Sequence, residues 1–398
     1  MKILHLADTH VRDKDIDECR KVLTFIVDQA REQQPDLIIH AGDVFDSQNI
    51  KLDSPSAKLV FRILSDLADI APVIIVIGTP SHDGLAIEVA SHIKAVHPIH
   101  VSTRPEQLYL SSPDILTEPP PNDFVSIAEA VISCVPSPTK QFFQGPGSIA
   151  ESDQQIGEAM TAMFAGFAAS AASYDAPHAL VGHFQVGAAF VSPTQQLIGR
   201  DIEVSRAQIE AANADLVCLG HIHLAQKIGG SIFYSGSTYQ LTYGETENKG
   251  FYVHTLSDDE FKGQFIGTPT RKLVKHDFDL TGSADLPGLI MDGAVYKGEV
   301  EGADVKLEIS VYEDEIDQLS KAVFEEAFPD ANSVDIQIIR IPRENVRSER
   351  LLHLTSLRDK LIERAALVKE ELDDSVLEKA DRLEGEDQEQ IFNQLSAA

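Results

Sequence analysis

Short apolar runs alternate with helical patterns over the first 250 residues of the chain. Continuous runs of this length are typical of strands that are buried on both faces of a sheet. They lie at residues 3–7, 37–41, 73–77, 130–135, 178–181 and 215–219. Between them, apolar residues recur at helical spacing at 16–30, 56–67 and 156–172. The alternation predicts a layered α/β domain. Residues 231–234 and 250–255 predict two further strands, antiparallel at an edge.

A smaller unit and a charged tail follow. Residues 305–311 alternate like a strand, 315–328 have helical spacing, and 334–341 are again strand-like. The chain then becomes helical and rich in charge. These patterns predict an α/β domain at residues 1–265, a small α+β domain at 271–341 and a helical tail at 345–398.

The tail carries one apolar stripe. Its members follow one another by three or four residues: Leu354, Leu357, Leu361, Ala365, Val368 and Leu372. The segment 373–375 interrupts the stripe and offers a cap for a second helix. The stripe packs either on the chain's own domain or on a helix pair of a partner, and the sequence leaves both interpretations open.

Composition and charge limit the class of protein. No apolar run approaches the ~20 residues of a membrane helix, so we expect no membrane span. Cys19, Cys134 and Cys218 lie far apart and form no CxxC pair, which favours reduced thiols and a cytoplasmic protein. The formal net charge of −30 is unusual for a protein that binds nucleic acid, because cations are needed to neutralise phosphates. A metal site or a partner subunit would have to supply them.

Five short polar motifs each follow an apolar run. They are Asp8-Thr9-His10, Gly42-Asp43, Ser81-His82-Asp83, Gly182-His183 and Gly220-His221-Ile222-His223. Because the carboxyl ends of parallel strands meet at one edge of a sheet, we expect these residues to converge on one crevice. Each motif alone is common in unrelated proteins, whereas five of them at strand ends predict a functional site.

The residue types in these motifs suit two divalent metal ions. Carboxylates and imidazoles are ligands of Mn²⁺, Fe and Zn²⁺, and the motifs lack the cysteines of a closed structural zinc site. Asp43 is the carboxylate central enough to bridge two ions. Two ions about 3.5–4 Å apart activate a water and hold the attacking and leaving oxygens of a phosphate ester.

The order of these motifs resembles that of the calcineurin-like metallophosphoesterases. It is also similar to the SbcD family of DNA repair nucleases, since residues 42–46 match that family's G-D-x-F-D. Residues 220–223, 234–237 and 241–245 are similar to its G-H-I-H, Y-S-G-S and L-x-x-G-E segments. The resemblance covers nearly the whole chain and is strongest over residues 1–255. It implies a metallophosphoesterase domain, a capping domain at 271–341 and a tail that docks on a partner.

The resemblance implies two metal sites that share Asp43. The ligands of the first ion would be Asp8, His10, Asp43 and His223. The ligands of the second ion would be Asp43, Ser81, His183 and His221. Mn²⁺ is the expected metal at both sites.

The resemblance also assigns roles to His82 and Asp83. His82 would act as the acid or as a transition-state stabiliser near the leaving oxygen, and Asp83 would orient it. The superfamily's G-N-H-D appears here with Pro80 and Ser81 in place of its Gly and Asn. Because a hydroxyl reaches less far than an amide and is a weaker neutral ligand, we expect the second ion to bind weakly. Gly78 is expected to supply the flexibility that Pro80 removes.

The resemblance implies a metal-dependent DNA exonuclease or endonuclease subunit acting in DNA repair and recombination. The family implies an SMC-like ATPase of the SbcC type as partner, and a homodimer within the complex. A stand-alone phosphodiesterase or phosphomonoesterase acting on a small molecule is the alternative, which the charge of −30 favours. A third hypothesis is a non-catalytic scaffold whose second metal site has decayed, although the other ligand residues are all retained.

Overall fold

The chain folds into two compact units. The computed structural model describes residues 1–120, 128–138, 149–195, 202–256, 261–282, 300–319, 321–342, 351, 353–368 and 371–385. The first unit comprises Met1–Ile309 and Ser320–Ile338, and the second comprises Ser310–Leu319 and Ile339–Ala398. Among the described residues, no helix combines the length and apolar character that crossing a membrane requires.

The strands are short, and most of them are buried. They are β1 Lys2–Leu6, β2 Leu37–His40, β3 Val73–Val76, β4 Ile99–Ser102, β5 Glu106–Ser111, β6 Asp114–Leu116, β7 Ala130–Val135, β8 His178–His183, β9 Gln185–Val186, β10 Glu203–Val204, β11 Leu216–Gly220, β12 Gln226–Ile228, β13 Ile232–Tyr234, β14 Gly250–Leu256, β15 Phe261–Gly267, β16 Lys272–Asp279, β17 Ala303–Tyr312 and β18 Ser333–Ile341.

The helices are amphipathic or short. They are α1 Ile16–Gln33, α2 Pro55–Ala68, α3 Leu85–Glu88, α4 Ile149–Ala171, α5 Arg206–Glu210, α6 Lys321–Ala327, α7 Leu357–Val368 and α8 Asp374–Gly385. Local sequence sets where several of them begin. The Ser54 side chain accepts the Ala57 N–H ahead of Pro55 in the first turn of α2. Ser205 and Gln208 form a reciprocal capping box at the start of α5.

Two mixed sheets form the body of the first unit. One sheet has the order β15-β14-β1-β2-β3-β4, in which β1 to β4 are parallel and β14 is antiparallel to both neighbours. The other has the order β12-β13-β11-β8-β7-β5-β6, in which β7, β8, β11 and β13 are parallel. The parallel strands of each sheet therefore present their carboxyl ends at a common edge.

The sheets pack face to face, with helices on both outer sides. Alternate residues such as Ile3 of β1 and Ile132 of β7 fill the core between the sheets. Leu4, on the opposite face of β1, packs in a second core with α1 and α2. Leu180 of β8 faces outward into a third core that includes Phe164 of α4. The predicted layered α/β fold is confirmed, as a four-layer sandwich.

Two strands differ from their predicted arrangement. The strand at 231–234 is parallel to β11 and is covered by β12, and the strand at 250–255 lies between β1 and β15. The antiparallel orientation is confirmed for 250–255 and wrong for 231–234 with respect to β11, and the prediction that the two strands lie at an edge is wrong. It missed β12 and β15, which lie outside them in the two sheets.

The region after β15 contains a three-stranded sheet in the order β16-β17-β18. The helix predicted at 315–328 is divided into a 3-10 segment at Glu313–Gln318 and α6. Leu319 separates them because its backbone is extended; residue 320 lies outside the described residues. The boundaries at 265–271 and 341–345 stay predictions.

Within the second unit, α7 and α8 form a helical hairpin. Arg358 and Asp381 pair across it, and the Leu357 N–H donates to the Glu384 carboxylate. Several large apolar side chains of the hairpin are exposed: Leu357, Ile362, Leu367, Val376 and Leu383.

Candidate metal centre

Strand ends from both sheets bring six predicted ligand residues together. These residues end or closely follow β1, β2, β8 and β11: Asp8, His10, Asp43, His183, His221 and His223. β1 is parallel to β2, and β8 is parallel to β11, so each pair ends at the same edge of its sheet. The backbone N–H of His221 donates to both carboxylate oxygens of Asp8, at 2.9 and 3.1 Å, and so links the two sheets at the site.

The first cluster consists of Asp8, His10 and His223. One potential ligand atom from each lies within 4.8 Å of the others. The two imidazoles meet through His10 Nε2 and His223 Nε2, which are 3.2 Å apart. Asp8 and His10 are buried, whereas His223 is half-buried, so the cluster is reached from the side of His223.

The second cluster consists of Asp43, His183 and His221, again with ligand atoms within 4.8 Å of one another. His183 Nδ1 lies 2.7 Å from the Ala41 carbonyl, which can only accept, so Nδ1 donates. This leaves His183 Nε2 facing Asp43 Oδ2 at 3.2 Å. A carbonyl that fixes the tautomer in this way is the usual support of a histidine that binds metal.

Four of these residues have a left-handed backbone. The φ angles are +50° at Asp8, +37° at His10, +53° at Asp43 and +94° at His221. Non-glycine residues rarely adopt this region, and each instance costs of order 1–3 kcal/mol. The surrounding fold supplies that free energy, which places strain at the ligand residues.

Two glycines allow the strand ends to approach. A Cβ at Gly42 would lie 2.4 Å from His183 Nδ1, and Gly42 also has a φ of +91°. A Cβ at Gly78 would lie 2.2 Å from both the N and the Oδ1 of Asp43. Each position therefore requires glycine for its ligand residue to stay in place.

The donor chemistry fits divalent cations. Burial raises the pKa of Asp8 to about 7, against the opposing charge of His183. Burial lowers the pKa of His10 to about 3 and that of His221 to about 4, so both imidazoles are neutral and offer lone pairs. Burial opposes the ionisation of Asp43, but the charge and hydrogen bond of His183 hold its pKa below the ordinary range. Two buried carboxylates among imidazoles would be favourably neutralised by divalent cations.

His82 and Asp83 lie beside the clusters but act on different neighbours. His82 Nδ1 donates to the Asp46 carbonyl at 2.9 Å, and its ring contacts the His10 ring edge-on. The buried Asp83 carboxylate accepts the backbone N–H groups of Val44, Phe45 and Gly78 at 2.9 to 3.2 Å. Asp83 therefore orders the two loops, whereas the Asp46 carbonyl orients the His82 ring.

Ser81 does not join the second cluster. Its side chain is exposed, and among the described residues it makes no hydrogen bond to a ligand residue; its carbonyl accepts the Gln48 N–H at 2.9 Å. The hydroxyl beside the cluster belongs to Thr79, whose Oγ1 is 3.3 Å from Asp43 Oδ2 and 3.3 Å from His183 Nε2. The structure thus places the hydroxyl of Thr79, and not that of Ser81, beside the second cluster.

Two supporting residues were missed by the sequence analysis. Gln195 fixes the loop after β11 through two hydrogen bonds. Its Nε2 donates to the His221 carbonyl at 2.6 Å, and its Oε1 accepts the His223 N–H at 3.0 Å. The Tyr239 hydroxyl donates to the His10 carbonyl at 2.8 Å. Neither residue has a local sequence signal, since each lies in a loop far along the chain from its partner.

A buried lysine explains one of the motifs used for the resemblance. Lys249 Nζ pairs with Glu245 at 2.8 Å and donates to Ser237 Oγ at 2.9 Å, and it is 2% exposed. The Glu245 carboxylate also accepts the backbone N–H groups of Leu241 and Thr242. The segments 234–237 and 241–245 therefore form one hydrogen-bonded support behind the His223 loop.

Sequence comparison identifies the class of protein. The profile of the calcineurin-like phosphoesterase family matches residues 1–225, more than half of the chain and the part that contains both clusters. The chain belongs to this family, and it is a metal-dependent phosphoesterase.

The chain is also similar to named nuclease subunits. The SbcD subunit of the SbcCD nuclease from Escherichia coli strain K12 is 25% identical over 416 aligned residues, which cover 96% of each chain. The SbcD subunit of the SbcCD nuclease from Staphylococcus epidermidis is 25% identical over 278 residues, covering 65% of this chain and 67% of the relative.

One solved structure shows a distant likeness. The protein described as GAP50, the anchor in the inner membrane complex of Plasmodium, aligns with 67% of this chain and 84% of its own. The TM-score is 0.44 and the identity is 14%, so we base no conclusion on this likeness.

Proposed function

We propose that this chain is the nuclease subunit of an SbcCD-like complex and hydrolyses DNA phosphodiesters at the two clusters. One observation carries the proposal: Asp43 Oδ2 lies 3.2 Å from His183 Nε2 in the second cluster and 3.7 Å from His10 Nε2 in the first. A single carboxylate thus reaches ligand atoms of both clusters, as two adjacent ions require. Similarity to the SbcD nuclease of Escherichia coli over 96% of the chain supports DNA as the substrate.

Residues of both clusters would hold the ions. Asp8, His10 and His223 would hold one ion and His183 and His221 the other, with Asp43 between them. When bound, two such ions, which we propose to be Mn²⁺, supply Lewis acidity toward the phosphate and the attacking water.

His82 is suited to protonate the leaving oxygen. Its Nδ1–H is occupied by the Asp46 carbonyl, so Nε2 is the nitrogen that remains for the substrate. When the ring is protonated, Nε2 carries a proton that it can give to the departing alkoxide. The carbonyl holds the ring in one orientation, which keeps that proton beside the first cluster.

A cleft in the first unit offers cations to a polyanionic substrate. It has a volume of about 640 Å³ and is lined by five cations and three acidic side chains, and four of the cations form ion pairs with acidic neighbours, for which DNA phosphates would compete. The cations are Arg12, Lys14, Arg271, Lys275 and Lys306. Arg12 also approaches Asp46, whose Oδ1 lies 3.8 Å from His10 Nδ1. The cleft therefore adjoins the first cluster and offers phosphate contacts.

The tail hairpin is the proposed contact with an ATPase subunit. The relatives are named as one of the subunits of an SbcCD nuclease, which implies a second subunit in those complexes. Exposed Ile362 and Leu367 of α7 provide apolar surface for the coiled coil of an SMC-like, SbcC-type ATPase. We further propose a role in DNA repair and recombination, with the chain as a homodimer in the complex.

The test is metal-dependent cleavage by the full chain. Linear duplex DNA, hairpin DNA and an aryl phosphodiester are incubated with Mn²⁺ or with chelator, with and without an SbcC-type ATPase and ATP. We expect Mn²⁺-dependent cleavage of DNA, ATP-dependent on duplex, and none by Asp43→Asn. Turnover of the aryl ester and of small phosphate esters without cleavage of either DNA would replace the proposal with a stand-alone phosphoesterase.

A further inference from the structure

A single turn decides which side chain of the loop after β3 faces the second cluster. The backbone N–H groups of His82 and Asp83 donate to the Thr79 carbonyl at 2.8 and 3.0 Å. Pro80 and Ser81 occupy the two central positions of this turn and are both exposed. The turn therefore directs Ser81 away from the cluster and leaves Thr79 at its base.

Thr79 contacts the central carboxylate through both its backbone and its side chain. Its N–H donates to Asp43 Oδ1 at 2.6 Å, which fixes the carboxylate plane. Its Oγ1 then lies 3.3 Å from Asp43 Oδ2, the oxygen that reaches both clusters. No other hydroxyl of the described residues is hydrogen-bonded to Asp43.

The geometry around Thr79 Oγ1 matches part of a coordination shell. Thr79 Oγ1, Asp43 Oδ2 and His183 Nε2 form a nearly equilateral triangle with edges of 3.3, 3.3 and 3.2 Å. Metal-to-ligand distances of ~2.0–2.2 Å place neighbouring ligand atoms roughly 3–3.5 Å apart. Without an ion, the Thr79 hydroxyl can donate to Asp43 Oδ2 while it accepts from a protonated His183 Nε2; a cation facing the triangle would instead take a lone pair from each of the three atoms.

We propose that Thr79, rather than Ser81, is the neutral oxygen ligand of the second ion, alongside Asp43, His183 and His221. This inference rests on the proposed two-ion function. Its consequence is a second site with one carboxylate, two imidazoles and a hydroxyl, an oxygen donor that adds no charge. The second ion should then bind more weakly than the first, because one of its ligands is a hydroxyl and the first site has none among its predicted ligands.

Metal binding to the full chain without DNA provides the test. Mn²⁺ titrations by calorimetry, with free Mn²⁺ followed by electron paramagnetic resonance, compare the native chain with Thr79→Val, Thr79→Ser and Ser81→Ala. Thr79→Val keeps the shape of the side chain but removes its oxygen. The affinity for the second ion should therefore fall at least about tenfold. Thr79→Ser should bind as the native chain does, and Ser81→Ala, on the same turn, is the matched control.

A cysteine at residue 79 separates direct ligation from support of the loop. A thiolate ligand prefers softer metals, so Thr79→Cys should weaken Mn²⁺ at the second site, strengthen Cd²⁺ and give an ultraviolet thiolate-to-Cd²⁺ band. Ser81→Cys should give none. If Thr79→Val does not fold, Thr79→Cys still shows whether residue 79 binds the metal directly.

Three results would overturn the inference in distinguishable ways. Two ions bound to Thr79→Val with native affinity, or a Cd²⁺ band in Ser81→Cys only, would reject Thr79 and leave the two-ion function standing. A native chain that binds a single Mn²⁺ would reject the two-ion function itself.

Discussion

Gly78→Ala is the most direct test of how the centre is held. The added Cβ would lie 2.2 Å from both Asp43 N and Asp43 Oδ1, whereas ordinary contact begins at 3.4 Å. The methyl group or Asp43 must therefore move by about 1.2 Å. The loop cannot simply retreat, since the Gly78 N–H is bound to the Asp83 carboxylate at 2.9 Å.

The expected cost has a stability part and a catalytic part. Overpacking in a tight interior costs about 1–3 kcal/mol, so we expect a lower melting temperature with the fold retained. A displacement near 1 Å at a catalytic group lowers rates by roughly 10²-fold, and both ions depend on Asp43. Thermal unfolding, Mn²⁺ calorimetry and cleavage of an aryl phosphodiester measure the three effects on one preparation.

Gly230→Ala is the matched control, because a Cβ there meets no atom within 4 Å. It should leave all three measurements unchanged. Native Mn²⁺ affinity and native turnover in Gly78→Ala would show that Asp43 is not held against this loop, and the account of the bridging carboxylate would fail.

Three further changes test the chemistry, the cleft and the tail. His82→Gln should keep its Mn²⁺ and lose about 10²–10⁴-fold in rate; loss of metal instead would make His82 a ligand. Lys275→Ala with Lys306→Ala should reduce the slope of log affinity for duplex DNA against log salt by ~1–2. Lys272 is absent from the cleft lining, so Lys272→Ala should leave the slope unchanged. Equal slopes for the double variant and the native chain would exclude the cleft as a DNA contact. Ile362→Glu with Leu367→Glu should abolish pull-down of the ATPase without changing aryl ester hydrolysis; retained pull-down would place the contact elsewhere.

The strand ends of the site were predictable because one local pattern encodes them. An apolar run followed by a carboxylate or imidazole indicates both a buried strand and a polar group at its carboxyl end. This pattern led to Asp8, Asp43, His183 and His221, which the structure brings together. The distribution of strands between two sheets has no such pattern, because it depends on pairings between residues far apart, such as β1 with β14.

Thr79 lies beside the second cluster in place of Ser81 for a local reason. Ser81 was aligned through its adjacency to His82 and Asp83, although Thr79 is the residue that directly follows Gly78. The turn at Pro80 and Ser81 adds two exposed residues between Thr79 and His82. Turn geometry therefore decided which hydroxyl faces the cluster, and adjacency in sequence did not.

The central position of β1 has a consequence for the timing of synthesis. β1 lies between β2 and β14, and His10 meets His223, a residue 213 positions later. A ribosome working at about 5–20 residues per second needs on the order of 10–50 s to synthesise the chain from His10 to His223. Throughout that interval the nascent chain has Asp8 and His10 but not His223, so it cannot assemble the first cluster. The metal centre therefore cannot form until synthesis has passed His223, about two-thirds of the way through the first unit.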